Sequence, residues 1–248
     1  MEIPDELASM LNGEHGPTKQ KAARLVVDLA ATASATKFIR CDNSHVSGVS
    51  VITGGHGLRR FLSDLSGDPQ GKVVIPTTLN SAGCDLEKIE DMDIDYPDFL
   101  KYQFEIVQAY SEMGINATLS CTPYDQGIDS GNGFGSWAES NAVCFSNSYT
   151  SLITNRESGL SAIATSLTGW APYWGLHIQK NRIPNILVKV KCDMSDTTDW
   201  SILGDWIGKQ IRPDWNLPWG PMPHITGLPK MISFEMICQN FTWTFEGF

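Results

Sequence analysis

The segment from residue 121 to residue 157 concentrates the side chains of this sequence that are able to do chemistry. It reads CTPYDQGIDSGNGFGSWAESNAVCFSNSYTSLITNRE, so thiol, hydroxyl, amide, carboxylate and guanidinium groups are interspersed with glycines. Such a segment buries little apolar surface, and its glycines admit backbone conformations that are closed to other residues. A fold retains a polar segment of this kind mainly where backbone and side chains converge on a ligand. We therefore expect a ligand-binding site built around this stretch.

A second polar cluster follows the apolar run KVVIP (72–76), which predicts a buried strand. Thr77, Thr78 and Asn80 come directly after it, and in α/β sheets ligands gather at the carboxyl ends of strands. These side chains suit a carboxylate or phosphate. The alternative is a set of local turns in which the same side chains bond to nearby backbone, which is their commoner role.

Two groups within the segment 121–157 suit an anion. Glu139 and Ser140 open a predicted helix, whose first N–H groups favour negative charge, and Ser140 adds a hydroxyl donor. The alternative is N-terminal capping, with Glu139 complementing the helix dipole. Asn155 and Arg156 offer an amide and a guanidinium for a carboxylate or phosphate, or Arg156 forms an ion pair with Glu139 or Glu157. Further candidates of the same kind are His177 and Arg182.

The composition narrows the classes of function. The chain has 248 residues, 42% of them hydrophobic and 19% charged, which describes an ordinary globular protein. A formal net charge of −10 argues against nucleic acid or an anionic membrane as the main partner. No apolar run approaches the length of a membrane span, and the acidic N-terminus shows no signal peptide. The six cysteines are scattered, which predicts reduced thiols in a cytoplasmic protein, each by default a small buried hydrophobe.

The elements that position these groups alternate between helix and strand, so the predicted class is α/β, with residues 1–248 forming one domain. A polar turn is expected at 42–45 and a loop at 213–229, and Trp206 and Ile207 are expected to face inward. The chain stops directly after an apolar segment, so we expect an incomplete unit, or one that needs a partner to cover its last element. Helices are predicted at 4–12, 16–35, 56–66, 97–113, 137–150, 157–168 and 198–211. Strands are predicted at 37–40, 49–52, 72–76, 117–120 and 185–190, and a strand or buried helix at 231–245.

Several motifs taken together resemble the aconitase X family. Their order and spacing match the N-terminal part of that family's large chain. They are SHVSGVS (44–50), KVVIPTTLNSAGCDL (72–86), CTPY (121–124), WAESNAV (137–143), NS (147–148), TNRESG (154–159), YWGLH (173–177) and NR (181–182). The resemblance implies an aconitase-like layered helix and sheet architecture, truncated relative to the family. It also implies a hydro-lyase with an iron–sulfur cluster, and a small swivelling-domain subunit as partner.

The resemblance also implies roles for particular residues. Cys121 matches the cysteine of the CTPY motif and is the candidate cluster ligand, while the remaining ligands lie in the C-terminal part of the family's chain. The implied catalytic residues are His45, Ser47 and Glu139. For His45 the alternative is a loop histidine that satisfies local backbone groups. The implied contacts to an anionic substrate are Ser44, Thr77, Thr78, Asn80, Ser140, Asn155, Arg156 and His177.

Two departures from the family pattern bear on the substrate. The family reads GAR before TNR, whereas this chain has Ser151, Leu152 and Ile153, so an arginine is replaced by isoleucine. The Gly-Asp pair expected between CTPY and WAES is also missing. Three readings stay open: a hydro-lyase chain, a cluster-free member acting on another substrate in specialised metabolism, and a non-catalytic fragment or binding module.

Overall fold

The computed structural model describes residues 1–88, 91–92, 94, 98–138, 140–211 and 222–228. The predicted element at 231–245 and most of the predicted loop at 213–229 lie outside these residues. Within them the α-helices are α1 (Asp5–Leu11), α2 (Gly16–Thr32), α3 (Val51–Ser66), α4 (Phe99–Glu112), α5 (Ser140–Ser148), α6 (Gly159–Thr168) and α7 (Thr197–Gln210). The strands are β1 (Phe38–Arg40), β2 (Asn43–Val46), β3 (Thr77–Leu79), β4 (Asn132–Trp137), β5 (Ser151–Ile153), β6 (Trp170–Pro172), β7 (Ile186–Lys189) and β8 (Pro223–Thr226).

The centre of the fold is a four-stranded sheet in the order β3-β2-β4-β5, with all neighbouring strands parallel. Helix α6 packs on one face, where the Ser44 hydroxyl reaches the carbonyl of Ala162. Helix α5 packs on the other face, where Phe145 belongs to the same buried cluster as Trp137 and Leu152. A parallel sheet is stable when both faces are covered, and this arrangement confirms the α/β class.

Two smaller sheets flank the central one: β1 pairs antiparallel with β6, and β7 pairs parallel with β8. The largest apolar core joins α1, α2, α3, α4 and α6 to strands β1, β2 and β3. A separate cluster lies between α7 and the β7–β8 pair, with Trp200 and Ile207 fully enclosed. No helix among the described residues is both long and apolar enough to cross a lipid bilayer.

Local signals explain where the helices begin. The side chain of Ser50 accepts a hydrogen bond from the backbone N–H of Ile52 and caps α3. Ser158 and Ser161 form a capping box at the start of α6, which satisfies N–H groups that have no partner inside the helix. Gly169, with a φ of 76°, ends α6 in the left-handed conformation that glycine adopts at no steric cost.

The helix predictions are largely confirmed, whereas several strand predictions are wrong. The polar residues 42–45 do not form a turn, because β2 (Asn43–Val46) lies between β3 and β4 and its backbone is paired on both sides. Residues 49–52 are not a strand, because Ser50 caps α3 and the helix begins at Val51. The strand predicted at 72–76 lies instead at β3, the polar Thr77–Leu79 that follows it.

Further differences concern the second half of the chain. Residues 117–120 extend beside β3 without forming a regular strand, since Leu119 has a φ of 48°. The helix predicted from 137 begins at Ser140, and Trp137 ends β4. On α7 it is Trp200 that is enclosed, whereas Trp206 is 55% exposed, so its inward prediction is wrong. Residues 223–226 form β8 rather than loop.

Candidate functional site

The carboxyl ends of the four central strands lie along one edge of the sheet. The backbone N–H of Asn80 donates to the carbonyl of Val46 at 2.9 Å, and that of Ala138 donates to the carbonyl of His45 at 2.9 Å. On the other side of β4, the N–H of Glu157 donates to the carbonyl of Trp137 at 2.9 Å. These bonds bring the residues that follow β2, β3, β4 and β5 to one continuous carboxyl edge.

Three helices begin at this carboxyl edge. Helix α3 follows β2, α5 follows β4 and α6 follows β5, each after a short connection. The first N–H groups of a helix have no partner inside it, and the helix dipole adds a partial positive charge of about half a unit at that end. The carboxyl edge is therefore suited to a negatively charged ligand.

Cys121 reaches the carboxyl edge on the far side of β3. The N–H groups of Asn116 and Ser120 donate to the carbonyls of Thr77 and Leu79 at 2.9 and 3.2 Å, so residues 116–120 run parallel to β3. The Cys121 sulfur lies 3.5 Å from the hydroxyl oxygen of Ser81. The motifs CTPY and TTLNS therefore meet in space, as expected for a shared site.

Arg156 lies at the opposite end of the carboxyl edge, after β5. Its side chain is exposed and forms no salt bridge or hydrogen bond with any residue that the structure describes, so the alternative ion pair with Glu157 is absent. Four strand spacings separate the backbone at Arg156 from that at Cys121, about 19 Å at the usual 4.8 Å per spacing. The two groups therefore serve different parts of the edge.

Ser47 occupies the middle of the carboxyl edge, directly after β2. It is half-buried, and its hydroxyl has no hydrogen-bond partner among the described residues. A Cβ atom at Gly159 would lie 2.3 Å from the carbonyl oxygen of Ser47, so only glycine allows the first turn of α6 to approach this closely. Ser47 is thus held between the strand end and a helix start, where a substrate oxygen can be bound.

His45 is enclosed completely beneath the carboxyl edge. Its Nδ1 lies 2.8 Å from the Thr78 hydroxyl, its ring packs 5.4 Å from that of Trp137, and its Nε2 has no partner among the described residues. Burial lowers the pKa of His45 from 6.5 to about 4, so the ring is neutral near pH 7. Its role in proton transfer stays a prediction, and the enclosure requires it to act through a neighbouring group.

The enclosed His45 makes stability depend on pH. The folded pKa lies below the unfolded one, so the unfolded chain binds the additional proton, and stability falls as pH drops from 6.5 towards 4. The loss is at most about 3 kcal/mol at 1.36 kcal/mol per pH unit. When unfolding by urea is measured between pH 7.5 and 4, the free energy of unfolding of His45→Gln should depend less on pH than that of the unaltered protein. His56→Gln, which alters an exposed histidine, should keep the pH dependence of the unaltered protein. An equal pH dependence in all three proteins would contradict this prediction.

Other predicted binding residues near the carboxyl edge bond to backbone. The Ser44 hydroxyl donates to the carbonyl of Ser136 at 2.8 Å, and that of Thr77 donates to Ile75 at 2.9 Å. The side-chain oxygen of Asn80 accepts from the N–H of Ser81 at 2.7 Å. For Thr77 and Asn80 these bonds agree with the alternative in which the side chains bond to nearby backbone in local turns. Substrate contact by Ser44, Thr77 and Asn80 stays a prediction.

Asn155 and His177 are brought together beside β5, and both are buried. The Asn155 side chain accepts from the N–H of Leu176 at 2.6 Å and contacts His177 Nδ1 at 3.2 Å through its amide nitrogen. His177 Nε2 lies 3.2 Å from the carbonyl of Gly135, and burial lowers the pKa of this ring. The pair fastens the segment 173–177 to the central sheet next to Arg156, and direct contact with substrate stays a prediction.

Two more contacts join separate motifs. The Arg182 guanidinium donates to the side-chain oxygen and, at 3.3 Å, to the carbonyl of Asn147, and burial lowers its pKa. The Asn141 amide donates to the Tyr124 hydroxyl at 3.3 Å. Some of the motif residues therefore stabilise the fold by bonding to one another. Of the remaining predicted residues, Glu139 lies outside the described residues, and Ser140 begins α5.

The cysteines of the described part do not form a ligand set for a metal cluster. No group of three or more His, Cys, Asp or Glu side chains within these residues is placed to hold a metal. Cys41 is buried, and burial, followed by the charge of Glu157, raises its pKa far above the usual range. Burial likewise raises the pKa of Cys84. Cys121 lies at the carboxyl edge and fits a single ligand, whereas a cluster needs several thiolates.

The sequence indicates only one role for Glu157, that of an ion-pair partner of Arg156. In the structure it follows Arg156 at the carboxyl edge, and its Oε1 atom is buried without a hydrogen-bond partner among the described residues. The available signal was its place in the TNRESG motif, next to the cap of α6.

Comparison with known proteins agrees with the motifs. A family profile described as "Aconitase X first domain" matches residues 1–180. The large subunit of phosphomevalonate dehydratase from Methanosarcina mazei is 38% identical over 213 residues, which cover 85% of this chain and 52% of the relative. Cis-3-hydroxy-L-proline dehydratase from Hypocrea jecorina is 34% identical over 214 residues, 84% of this chain and 35% of the relative.

A solved structure extends the comparison to the fold. The crystal structure of Thermococcus kodakaraensis aconitase X in its holo-form superimposes with a TM-score of 0.82 at 32% identity, covering 99% of this chain and 58% of that chain. The chain thus spans about half the length of the phosphomevalonate dehydratase large subunit it matches. The resemblance to the aconitase X family and the α/β architecture of the matching part of its chain are confirmed. The chain belongs to the aconitase X family.

Proposed function

We propose that this chain supplies part of the active site of a hydro-lyase that removes water from a small hydroxylated anionic metabolite. The observation that carries the proposal is the carboxyl edge, where three helices begin and where the Arg156 guanidinium and the Ser47 hydroxyl have no hydrogen-bond or ion-pair partner among the described residues. The names of the relatives, all dehydratases acting on a hydroxylated acid or phosphate ester, support the same reaction class.

The chain's own residues bind and orient the substrate in this proposal. The N–H groups at the starts of α5 and α6, with Arg156, hold the carboxylate or phosphate. The Ser47 hydroxyl bonds to a substrate oxygen in the middle of the carboxyl edge. Because the anion is held at a fixed place, the carbon that carries the leaving hydroxyl is oriented before it reacts, which lowers the entropic part of the barrier.

An iron–sulfur cluster and a small subunit belong to the proposal as further parts of the enzyme. Cys121 is the cluster ligand expected from this chain, and the described cysteines provide no complete set. Five relatives are named as large subunits, which supports a small-subunit partner for this chain. Its acidic charge and scattered cysteines support a cytoplasmic location.

Turnover tests the proposal. The purified protein is reconstituted anaerobically with iron and sulfide together with the C-terminal half of the large subunit and the small subunit of a related phosphomevalonate dehydratase, and is then incubated with 5-phosphomevalonate and with cis-3-hydroxy-L-proline. We expect loss of water from one of them, detected by mass spectrometry as the dehydrated product. Absence of product from both, in a protein that is folded by circular dichroism, contradicts the proposed function and favours the binding-module alternative.

Reconstitution tests the ligand set. After anaerobic treatment of this chain alone with iron and sulfide, we expect no stable visible absorption band, because the described residues form no group of three or more side chains placed to hold a metal. Cys121→Ala should then match the unaltered chain in bound iron, as should Cys192→Ala, which changes an exposed thiol far along the sequence. A brown protein whose colour depends on Cys121 would show that this chain holds a cluster unaided.

A further inference from the structure

A glutamine enclosed next to the carboxyl edge bonds to two of the connections that leave the central sheet there. Gln103 belongs to α4, and its side chain is 0% exposed. Its Nε2 donates to the carbonyl of Val49 at 2.8 Å, and its Oε1 accepts from the N–H groups of Val51 at 3.1 Å and Gly83 at 3.2 Å. Val49 and Val51 lie where β2 passes into α3, and Gly83 lies on the connection that leaves β3.

The amide of Gln103 is matched to these three backbone groups. The two N–H groups need an acceptor, which the amide oxygen supplies with its two lone pairs, and the carbonyl needs a donor, which only the amide nitrogen supplies. A long polar side chain is rarely enclosed completely, because leaving water is unfavourable unless its polar atoms are bonded. An apolar side chain of similar size would fill the same space. What the amide adds is therefore a fixed position for the backbone around it.

The two connections also contact each other beside Gln103. A Cβ atom at Gly83 would lie 2.4 Å from the hydroxyl oxygen of Ser50 and 2.9 Å from the Gln103 Oε1, so glycine fits here without displacing either side chain. The same Ser50 hydroxyl caps α3. Further along α4, the Tyr110 hydroxyl donates to the carbonyl of Gly48 at 3.3 Å. Helix α4 therefore holds the connection after β2 at two places, and Gln103 joins that connection to the one after β3.

Each of the two connections carries a group of the proposed site. Ser47 lies two residues before the bonded carbonyl of Val49. Ser81 lies two residues before Gly83, and its hydroxyl oxygen is 3.5 Å from the sulfur of Cys121. A shift of either connection therefore moves the Ser47 hydroxyl relative to the Cys121 end of the carboxyl edge. A misplacement of about 1 Å that originates far from the reacting atoms can lower a rate about 100-fold.

We propose that Gln103 is a positioning residue for the reaction, whose amide sets the place of the Ser47 hydroxyl relative to the Cys121 end of the carboxyl edge. This inference rests on the proposed function. Gln103 is enclosed and does not touch the substrate, so it acts through the backbone of the two connections. Strands β2 and β3 stay paired without it, and only the segments beyond their ends gain freedom to move separately.

Gln103→Met tests this role, because methionine has a similar length and forms none of the three bonds. In the reconstituted assembly, with the probe that the unaltered protein dehydrates, we expect kcat to fall by about 10–100-fold and KM to change less than about threefold. The proposed anion-binding groups at the starts of α5 and α6 lie on other connections, so KM is spared. Gln103→Glu keeps the shape and an acceptor oxygen and should recover part of kcat. Gln108→Met, the same change at an exposed position of α4, should match the unaltered protein.

Hydrogen exchange of this chain alone gives a readout that does not depend on turnover. In Gln103→Met the N–H groups of Val51 and Gly83 lose their acceptor. Peptides covering residues 47–54 and 80–85 should therefore exchange about tenfold faster, measured by mass spectrometry. A peptide covering residues 132–137, which form β4, should keep its rate. Unchanged exchange in 47–54 and 80–85 would overturn the inference, because the two connections would then be held without Gln103.

A destabilised control separates positioning from a general loss of stability. Met10→Ala truncates a side chain of α1 that is 2% exposed, on a helix that packs against α2. It should lower the unfolding midpoint and leave kcat unchanged at a temperature where all variants are folded. If Gln103→Met retains the kcat of Met10→Ala under these conditions, its amide only stabilises the fold, and the inference is overturned while the proposed function stands. Inactivity of the unaltered assembly with both probes would overturn both.

Discussion

Replacing Arg156 by methionine should lower kcat/KM for an anionic substrate by roughly 100-fold and leave the fold unchanged. A charge-assisted bidentate contact to a carboxylate or phosphate contributes about 3 kcal/mol, and each 1.4 kcal/mol corresponds to a tenfold change. Because the guanidinium has no partner among the described residues, its removal costs no internal ion pair. The expected signature is therefore a higher KM with an unaltered melting temperature, measured by steady-state kinetics and thermal unfolding.

Two variants sharpen the test of Arg156. Arg156→Lys keeps the charge and loses the planar fork, so it should restore only part of the affinity. Arg24→Met removes an exposed arginine of α2 that pairs with Asp28, a kind of contact worth less than about 1 kcal/mol, and should not change kinetics. If Arg156→Met lowers the melting temperature and leaves KM as it was, the guanidinium belongs to the scaffold and not to substrate binding.

Replacing Phe145 by alanine should destabilise the protein by about 3–5 kcal/mol, the range for an enclosed phenylalanine. Its side chain is 1% exposed and stacks on Tyr124 with ring centres 3.9 Å apart. Tyr124 lies in the short 3₁₀ helix Pro123–Gln126, which begins two residues beyond Cys121. Loss of the stack removes packing from that 3₁₀ helix, so the Cys121 thiol should also react faster with a thiol reagent. Urea unfolding and the rate of modification check the two effects.

A matched control for Phe145 is Phe104→Ala on α4. Phe104 is 46% exposed, so its truncation should cost well under half as much and leave the reactivity of Cys121 unchanged. A loss below about 1 kcal/mol for Phe145→Ala, inside the range of surface substitutions and small core changes, would mean that the cluster beneath α5 adapts to the cavity.

The helices of this protein were readable from the sequence because their signals are local. Apolar residues at helical spacing in α2 and α4 and the serine cap of α6 act within a few residues of chain. The strands were less readable, and β2 is the clearest case. Its residues Asn43–Val46 are mostly polar, so they indicate a turn, and only pairing with β3 and β4 makes them a central strand.

The candidate site, like the fold, could be predicted from the sequence only in part. The motifs in the sequence lie on segments that end at the carboxyl edge, where Ser47 and Asn80 lie between Cys121 at one end and Arg156 at the other. That these residues share one substrate site stays a prediction. The sequence did not reveal which motif residues face each other. His45 with Thr78, Asn155 with His177 and Asn147 with Arg182 form contacts inside the scaffold.

The sequence by itself determined the family, the α/β class and the segments that carry polar chemistry, because residue identity and spacing along the chain are sufficient for these. Only the tertiary structure decided which polar groups are enclosed and which remain available. Enclosure depends on residues far apart in sequence: the N–H of Glu157 bonds to the carbonyl of Trp137 and its Oε1 atom is buried without a hydrogen-bond partner among the described residues, while Arg156, one position away, is exposed. Burial and hydrogen-bond partners are properties of packing, and packing is set across the whole sheet at once.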